Sequence, residues 1–253
     1  MSREEKRRLP VVGPLEPHGI TVAAERGALP SLKNGPREQR VPATAALARA
    51  WLVDTAERLA QETPPARPIA CAEGCAFCCH LKVIASPVEV LALAAHLRRK
   101  LEPAALESLR SRVAAADEEL RGKTTEERAA MKTPCPLLED HRCVGYEARP
   151  LHCMGACSLD ARACERAFDQ PEEDVPVPLW LPQANAADAI SAGVSRATAG
   201  ARLDGTMLEL VAGVKIALAD ADAEDRWRKG EPIFRDAYDA ELAAMIAAAV
   251  AKA

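Results

Sequence analysis

Aromatic side chains are scarce in this sequence. Three Trp, two Tyr and three Phe make up only 3% of the 253 residues. Large rings therefore cannot fill the interior, and the core must be built mainly from Ala, Leu and Val. Ala and Leu are strong helix formers, so the composition tilts toward an all-α fold. Long apolar runs are missing as well. No stretch approaches the roughly 18 uncharged apolar residues of a membrane span, and the Ala-rich tail from Leu242 to Ala253 is short. The opening MSREEKRRLP is charged and lacks the apolar segment of a secretory signal. Basic charge is not in excess: the formal net charge of -4 leaves no electrostatic footprint for nucleic acid or for an anionic membrane. A Gly-rich phosphate loop, a nucleophile elbow and a paired-carboxylate signature are all absent. The compartment these features point to is the cytoplasm, where thiols stay reduced.

Cysteine is what the sequence has in plenty. Nine cysteines cannot pair completely within one chain, and in a reducing compartment they are not a disulfide framework. Metal binding explains them better. The first group, Cys71, Cys75, Cys78 and Cys79, lies in the run CAEGCAFCCH. Two thiolates separated by two residues can converge on one ion when the chain turns between them, as in zinc and iron–sulfur sites. Gly74 offers a backbone point for such a turn. A redox pair would need a strand before it and a helix directly after it, and neither is suggested here. The neighbouring side chains of Cys78 and Cys79 diverge, so the simpler geometry gives each to a different ion or to a different corner of a polynuclear cluster. The second group is Cys135, Cys143, Cys153, Cys157 and Cys164, irregularly spaced through a segment rich in Pro. Such spacing belongs to a site assembled in three dimensions, and the alternative for any one of these residues is a small buried hydrophobe.

The surrounding chain reads as helix. Residues 1–40 mix charge with Pro and Gly and show no sustained period, which predicts a flexible arm. Residues 41–253 are then a single helical domain. Leu47, Trp51, Thr55 and Leu59 recur every four positions until TPPARP stops the helix. Ser86, Pro87 and Glu89 form a capping-box start, followed by the stripe Val90, Leu93, Ala94, Leu97 and Leu101. A further helix carries Leu106, Leu109, Val113, Ala116 and Leu120, and Thr124 with Glu127 can box the next one. Residues 134–160 should be loop and short turns. Helices are expected at about 184–200, along Met207, Leu210, Val211, Val214 and Leu218, and at about 234–252. The fold class expected is therefore mainly α, an irregular helical domain with a cysteine-rich loop region organised around a metal site.

The cysteine runs, with CPLL from Cys135 and CVGYEARPLHC from Cys143 to Cys153, resemble the YkgJ-type cysteine cluster family. That family is also described as a zinc- or iron-chelating CxxCxxCC domain, and it includes the cysteine-rich part of flagellin lysine N-methylases. The similarity runs from about residue 45 to about 235, including a Leu208–Leu210 helix and Trp227 to Gly230. Ser158 to Asp160 before Cys164 matches a further element. The resemblance implies Cys71, Cys75, Cys78, Cys79, Cys135, Cys143, Cys153 and Cys164 as metal ligands. It departs at Met154, where the family usually has Arg, and at Cys157, which is an extra. Met154 and Cys157 could add soft ligands suited to Cu(I), but packing is the better reading of Met154, and loss of Cys157 is expected to cost little metal.

Of the neighbours, His80 and His152 could ligate metal or support a thiolate. Arg149 could offset thiolate charge or pair with Glu147 or Asp140. Tyr146 is expected to pack beside the site with its hydroxyl bonded to backbone, and His96 to face solvent. Three functions fit these residues: a metal-binding protein carrying zinc or iron, the latter as an ion or an iron–sulfur cluster; an iron–sulfur-dependent protein lysine N-methylase-like enzyme using S-adenosylmethionine; or an interaction module stapled by zinc. The implied partner is a metal ion.

Overall fold

With so few rings available, the helices must approach each other closely through small side chains, and they do. The structure, a computed structural model, describes residues 15–250. The chain forms α1 (Pro17–Asn34), α2 (Arg40–Glu62), β1 (Ile84–Ala85), α3 (Pro87–Lys100), α4 (Pro103–Leu120), α5 (Thr125–Met131), β2 (Leu138–Glu139) and β3 (Arg142–Cys143). It continues with α6 (Leu151–Gly155), α7 (Ala161–Asp169), α8 (Leu181–Gly200), β4 (Leu208–Glu209), α9 (Leu210–Ala219), α10 (Ala223–Arg228) and α11 (Ala240–Val250). The protein is thus mainly helical. Its strands, two residues each, form two antiparallel pairs: Ile84 opposite Glu209, and Leu138 opposite Cys143.

Helix α8 is the hub, packed against α1, α2 and α6, while α3 lies between α2 and α9, and α9 meets α4. Small residues let α8 serve three neighbours. A Cβ on Gly193 would stand 2.5 Å from the Thr21 carbonyl oxygen and 2.6 Å from the Ala24 Cβ. A Cβ on Gly155 would stand 2.6 Å from the Ala187 Cβ, so α6 touches α8 almost backbone to backbone. Trp51 is one of the few large rings, and it packs over Gly27, whose added Cβ would lie 2.8 Å from the indole.

Both boxes expected from the sequence form. Ser86 Oγ accepts from Glu89 N at 3.3 Å while Glu89 Oε2 accepts from Ser86 N at 2.8 Å. Thr124 and Glu127 make the same reciprocal pair ahead of α5. Helix α3 is buried more widely than one stripe, since Val88, Leu91 and Ala92 join Val90, Leu93, Ala94 and Leu97 in the core. It is sandwiched between α2 and α9.

Three expectations are corrected. The flexible arm over residues 1–40 does not hold for its second half: α1 is an ordered helix, with Ile20, Ala24, Ala28 and Leu32 buried every fourth residue along α8 and α2; residues 1–14 lie outside the described residues. Gly27 and Pro30 masked that period, yet Gly27 makes room for Trp51 and Pro30 is accommodated inside the helix. Met207 and Leu208 do not begin a helix, because Leu208 and Glu209 pair with β1 and only Leu210 opens α9. The single helix at about 234–252 is a short turn at Arg235–Ala237 followed by α11. Among the described residues no helix is long and apolar enough to cross a membrane.

The α1–α8 contact leaves no volume for a methyl group. Gly193→Ala should lower stability by about 1–3 kcal/mol through overpacking, measured by chemical denaturation; an unchanged midpoint would contradict close packing of α1 on α8.

A candidate metal centre lined by thiols

The two cysteine stretches meet because backbone hydrogen bonds stitch them together. Gly74, at φ 87°, turns the chain back after Cys71, and a single 3-10 turn at Phe77–His80 carries Cys78 and Cys79. The Cys79 carbonyl accepts from Cys135 N at 2.7 Å, which fastens the second stretch directly onto the first. Cys143 comes in on the β2–β3 hairpin, whose two connecting residues, Asp140 and His141, sit at φ 47° and 62°. Left-handed conformation at both positions suits a tight two-residue hairpin. Cys153 rides on α6. The first free amide of that helix, Leu151 N, donates to Glu89 Oε1 at 2.8 Å, and Glu89 is buried. The 156–158 loop is sewn to the first group by Ala70 N to the Ser158 carbonyl at 2.8 Å and by Ser158 N to Cys71 Sγ at 3.2 Å.

The result is a cavity of about 970 Å³ with eight cysteines in its wall: Cys71, Cys75, Cys78, Cys79, Cys135, Cys143, Cys153 and Cys157. Seven of the eight positions implied by the family resemblance are among them. Cys164 is not: it lies on α7, which packs through Phe168 against Phe77 and His80 with ring centroids 5.9 and 4.7 Å apart. Cys157, set aside from sequence as an extra, lines the cavity. All nine cysteines are free thiols.

Burial and mutual repulsion favour the neutral thiol at six of these sulfurs. Burial pushes the Cys135 thiol up to about 12 and that of Cys157 up to about 11, and it raises Cys71, Cys143 and Cys153 as well. Cys78 is raised first by its hydrogen bond with Cys79 and then by desolvation. Mutual repulsion adds to these effects: Cys153 feels Cys135, Cys143 and Cys78, whereas Cys157 feels Cys71 and Cys78. Nearby cations oppose them: Arg128 lowers Cys135 and Lys100 lowers Cys143. Arg149 lowers Cys71, Cys78, Cys143, Cys153 and Cys157 by its charge. Its guanidinium stacks on the Tyr146 ring at 3.9 Å, and among the described residues it has no carboxylate within ion-pair distance. The expected pairing of Arg149 with Glu147 or Asp140 does not form.

Tyr146 itself is 54% exposed, not packed away, and it serves as the platform for Arg149. His152 reaches the cavity, with Nε2 3.2 Å from Asp188 Oδ1. Burial lowers its pKa, but the hydrogen bond to Asp188 and the charges of Glu89 and Asp188 outweigh burial and raise it. His80 turns its Nδ1 toward the Ala76 carbonyl at 3.2 Å and packs on Phe168. Met154 packs against the core and also borders the cavity. His96 is only 17% exposed and lies 3.4 Å from Glu147, not out in solvent.

The charged part of the cavity lining was not foreseen. It carries the ion pairs Lys82–Asp239 at 2.8 Å, Lys82–Glu241 at 2.9 Å and Arg128–Glu209 at 3.2 Å. These residues come from four separate segments, and no local motif announces them.

Soft thiol donors in this number suit zinc, iron or an iron–sulfur cluster, and Arg149 supplies the compensating charge that several thiolates require. Among the described residues no three His, Cys, Asp or Glu side chains stand ready-made around one point. Ligation therefore calls for thiol rotation and deprotonation. No protein-family model, curated protein or solved structure matches the chain.

Two outcomes follow from this geometry. Glu89→Ala would strip the acceptor from Ser86 N, Ser86 Oγ and Leu151 N. At about 1–3 kcal/mol for each buried donor left unsatisfied, it should strongly destabilise the protein in urea titration, and a neutral result would contradict the anchoring of α6. The pH dependence of the metal-free protein has a definite sign. Cys135 and Cys157 hold their protons above the ordinary value of 9.0, so from there toward about 11 or 12 the unfolded chain releases protons that the folded one retains. Stability is full below that window and falls as pH rises through it. Thermal melts of chelated, reduced protein should show the fall, and a flat profile would refute it.

Proposed function

We propose that this chain is a metal-binding protein that chelates zinc or iron, the latter as an ion or an iron–sulfur cluster, through a multi-cysteine site of the YkgJ type. One observation carries the reading: thiols from two distant stretches of sequence line one cavity, joined by the Cys135 N to Cys79 O hydrogen bond. Cys71, Cys75, Cys78, Cys79, Cys135, Cys143 and Cys153 are the ligand set it supports. Burial argues for a cation as well. A cluster of thiols held neutral by desolvation and by each other becomes favourable as thiolates once a divalent ion neutralises them. Cys164 enters this reading through the family resemblance alone.

The size of the cavity favours a second reading, an iron–sulfur-dependent enzyme resembling the protein lysine N-methylases and using S-adenosylmethionine. About 970 Å³ exceeds what metal ions occupy, and lies at the upper end of small-molecule pockets. The carboxylates of Glu209, Asp239 and Glu241 in the same lining offer acceptors for an incoming ammonium group, although Lys82 and Arg128 already engage them. The zinc-stapled interaction module remains the third reading, and chelation separates it: a site that serves only to fold the chain loses helical content when its metal is removed.

Anaerobic purification followed by elemental analysis and a visible spectrum tests the proposal. Bound zinc in a colourless protein, or iron and sulfide with broad visible absorbance, is the expected result. Cys78→Ser and Cys79→Ser should each lower metal content. Protein that contains no metal and takes up neither zinc nor iron under reducing conditions would overturn the reading.

A further inference from the structure

The eight thiols of the cavity are not one undivided group. Cys135, Cys143 and Cys153 come from the CPLL turn, the β3 hairpin and α6, and they feel one another's charge. Cys71 and Cys157 belong elsewhere. Cys71 Sγ accepts from Ser158 N at 3.2 Å and lies 3.7 Å from the Ala156 carbonyl, so it is fixed against both neighbours of Cys157. The loop that bears Cys157 is held in turn: Trp180 N donates to the Cys157 carbonyl at 2.9 Å and Leu159 N to the Pro178 carbonyl at 2.8 Å. Cys78 is the electrostatic neighbour of both sets. Cys164 sits behind the cysteine turn on α7, outside the cavity wall.

From this arrangement we infer that Cys157 is a metal ligand, completing with Cys71, Cys75 and one sulfur of the Cys78–Cys79 pair an outer thiolate position beside an inner one formed by Cys135, Cys143, Cys153 and the other. The inference rests on the proposed metal-binding function and deepens it. Once their side chains rotate, eight cavity thiols can supply two sets of four, the number that a tetrahedral zinc, cobalt or iron ion takes from an all-thiolate site. Cys78 and Cys79 are hydrogen-bonded to each other, so their two sulfurs can each supply one of two adjacent positions. On loading, each thiol that becomes a ligand releases its proton to solvent and no electrons are transferred.

Co(II) reconstitution of the full-length reduced protein under anaerobic conditions tests it, since sulfur-to-cobalt charge-transfer absorbance reports thiolate ligation directly. Cys157→Ser should bind about half the cobalt of the wild type and lose a matching share of that absorbance, whereas Cys164→Ser should retain wild-type values. Circular dichroism checks that each variant folds. A footprint on the wild-type protein needs no variant: bound cobalt should protect Cys157 from alkylation and leave Cys164 reactive. Wild-type cobalt content in folded Cys157→Ser, an equal loss in Cys164→Ser, or alkylation of Cys157 at the same rate with and without metal would each overturn the inference. Failure of the wild type to bind cobalt, zinc or iron at all is a different result, which removes the metal-binding reading itself.

Discussion

A buried carboxylate, that of Glu89, holds together the parts of the molecule that matter most. Its two oxygens accept from Ser86 N, Ser86 Oγ and Leu151 N at 2.7–2.8 Å, which closes the box at the start of α3 and fixes the start of α6. Burying a charge without such partners is costly. Here the donors are the free amides and hydroxyl of two helix starts, where negative charge is favoured. The helix that carries Cys153 is therefore positioned by a side chain of the central core. Because α3 is packed between α2 and α9, one wall of the thiol cavity inherits the rigidity of the bundle.

The other walls are built differently. Cys71 to Cys79 and Cys135 to Cys143 lie on turns and a hairpin, the second stretch seated on the core through Leu137. Hydrogen bonds from chain to chain fasten them, above all Cys135 N to Cys79 O and Ser158 N to Cys71 Sγ. This division has a chemical consequence. Thiols on the turns and the hairpin can rotate with little repacking, while Cys153 on α6 is held by the core. Arg149, stacked on Tyr146 with no carboxylate partner among the described residues, supplies positive charge to Cys71, Cys78, Cys143, Cys153 and Cys157.

The scarcity of aromatic residues shapes the scaffold as much as cysteine shapes the site. Helices lined with Ala and Gly approach closely, as α1 does at Gly193 and α6 at Gly155. Close approach lets backbone atoms carry position accurately from the core to the cavity. It also makes the bundle sensitive to added volume, because an interior packed this densely has no room in which to relax.

Much of this was legible in the sequence. The helical character, both capping boxes, the stop at TPPARP and the turn at Gly74 all follow from short-range rules of backbone sterics and local hydrogen bonding, which need only a few neighbouring residues. The same kind of rule misjudged α1, whose period of four through Ile20, Ala24, Ala28 and Leu32 is broken on paper by Gly27 and Pro30 and makes sense only against Trp51 and α8. The ligand set implied by the resemblance of the cysteine runs includes seven of the eight sulfurs in the cavity wall. Only the tertiary structure could exchange Cys164 for Cys157 there, or bring Lys82, Arg128, Glu209, Asp239 and Glu241 into the same lining. Which side of a turn a thiol faces, and which distant segment it meets, depend on contacts between residues far apart in the chain, and spacing along a sequence does not encode them.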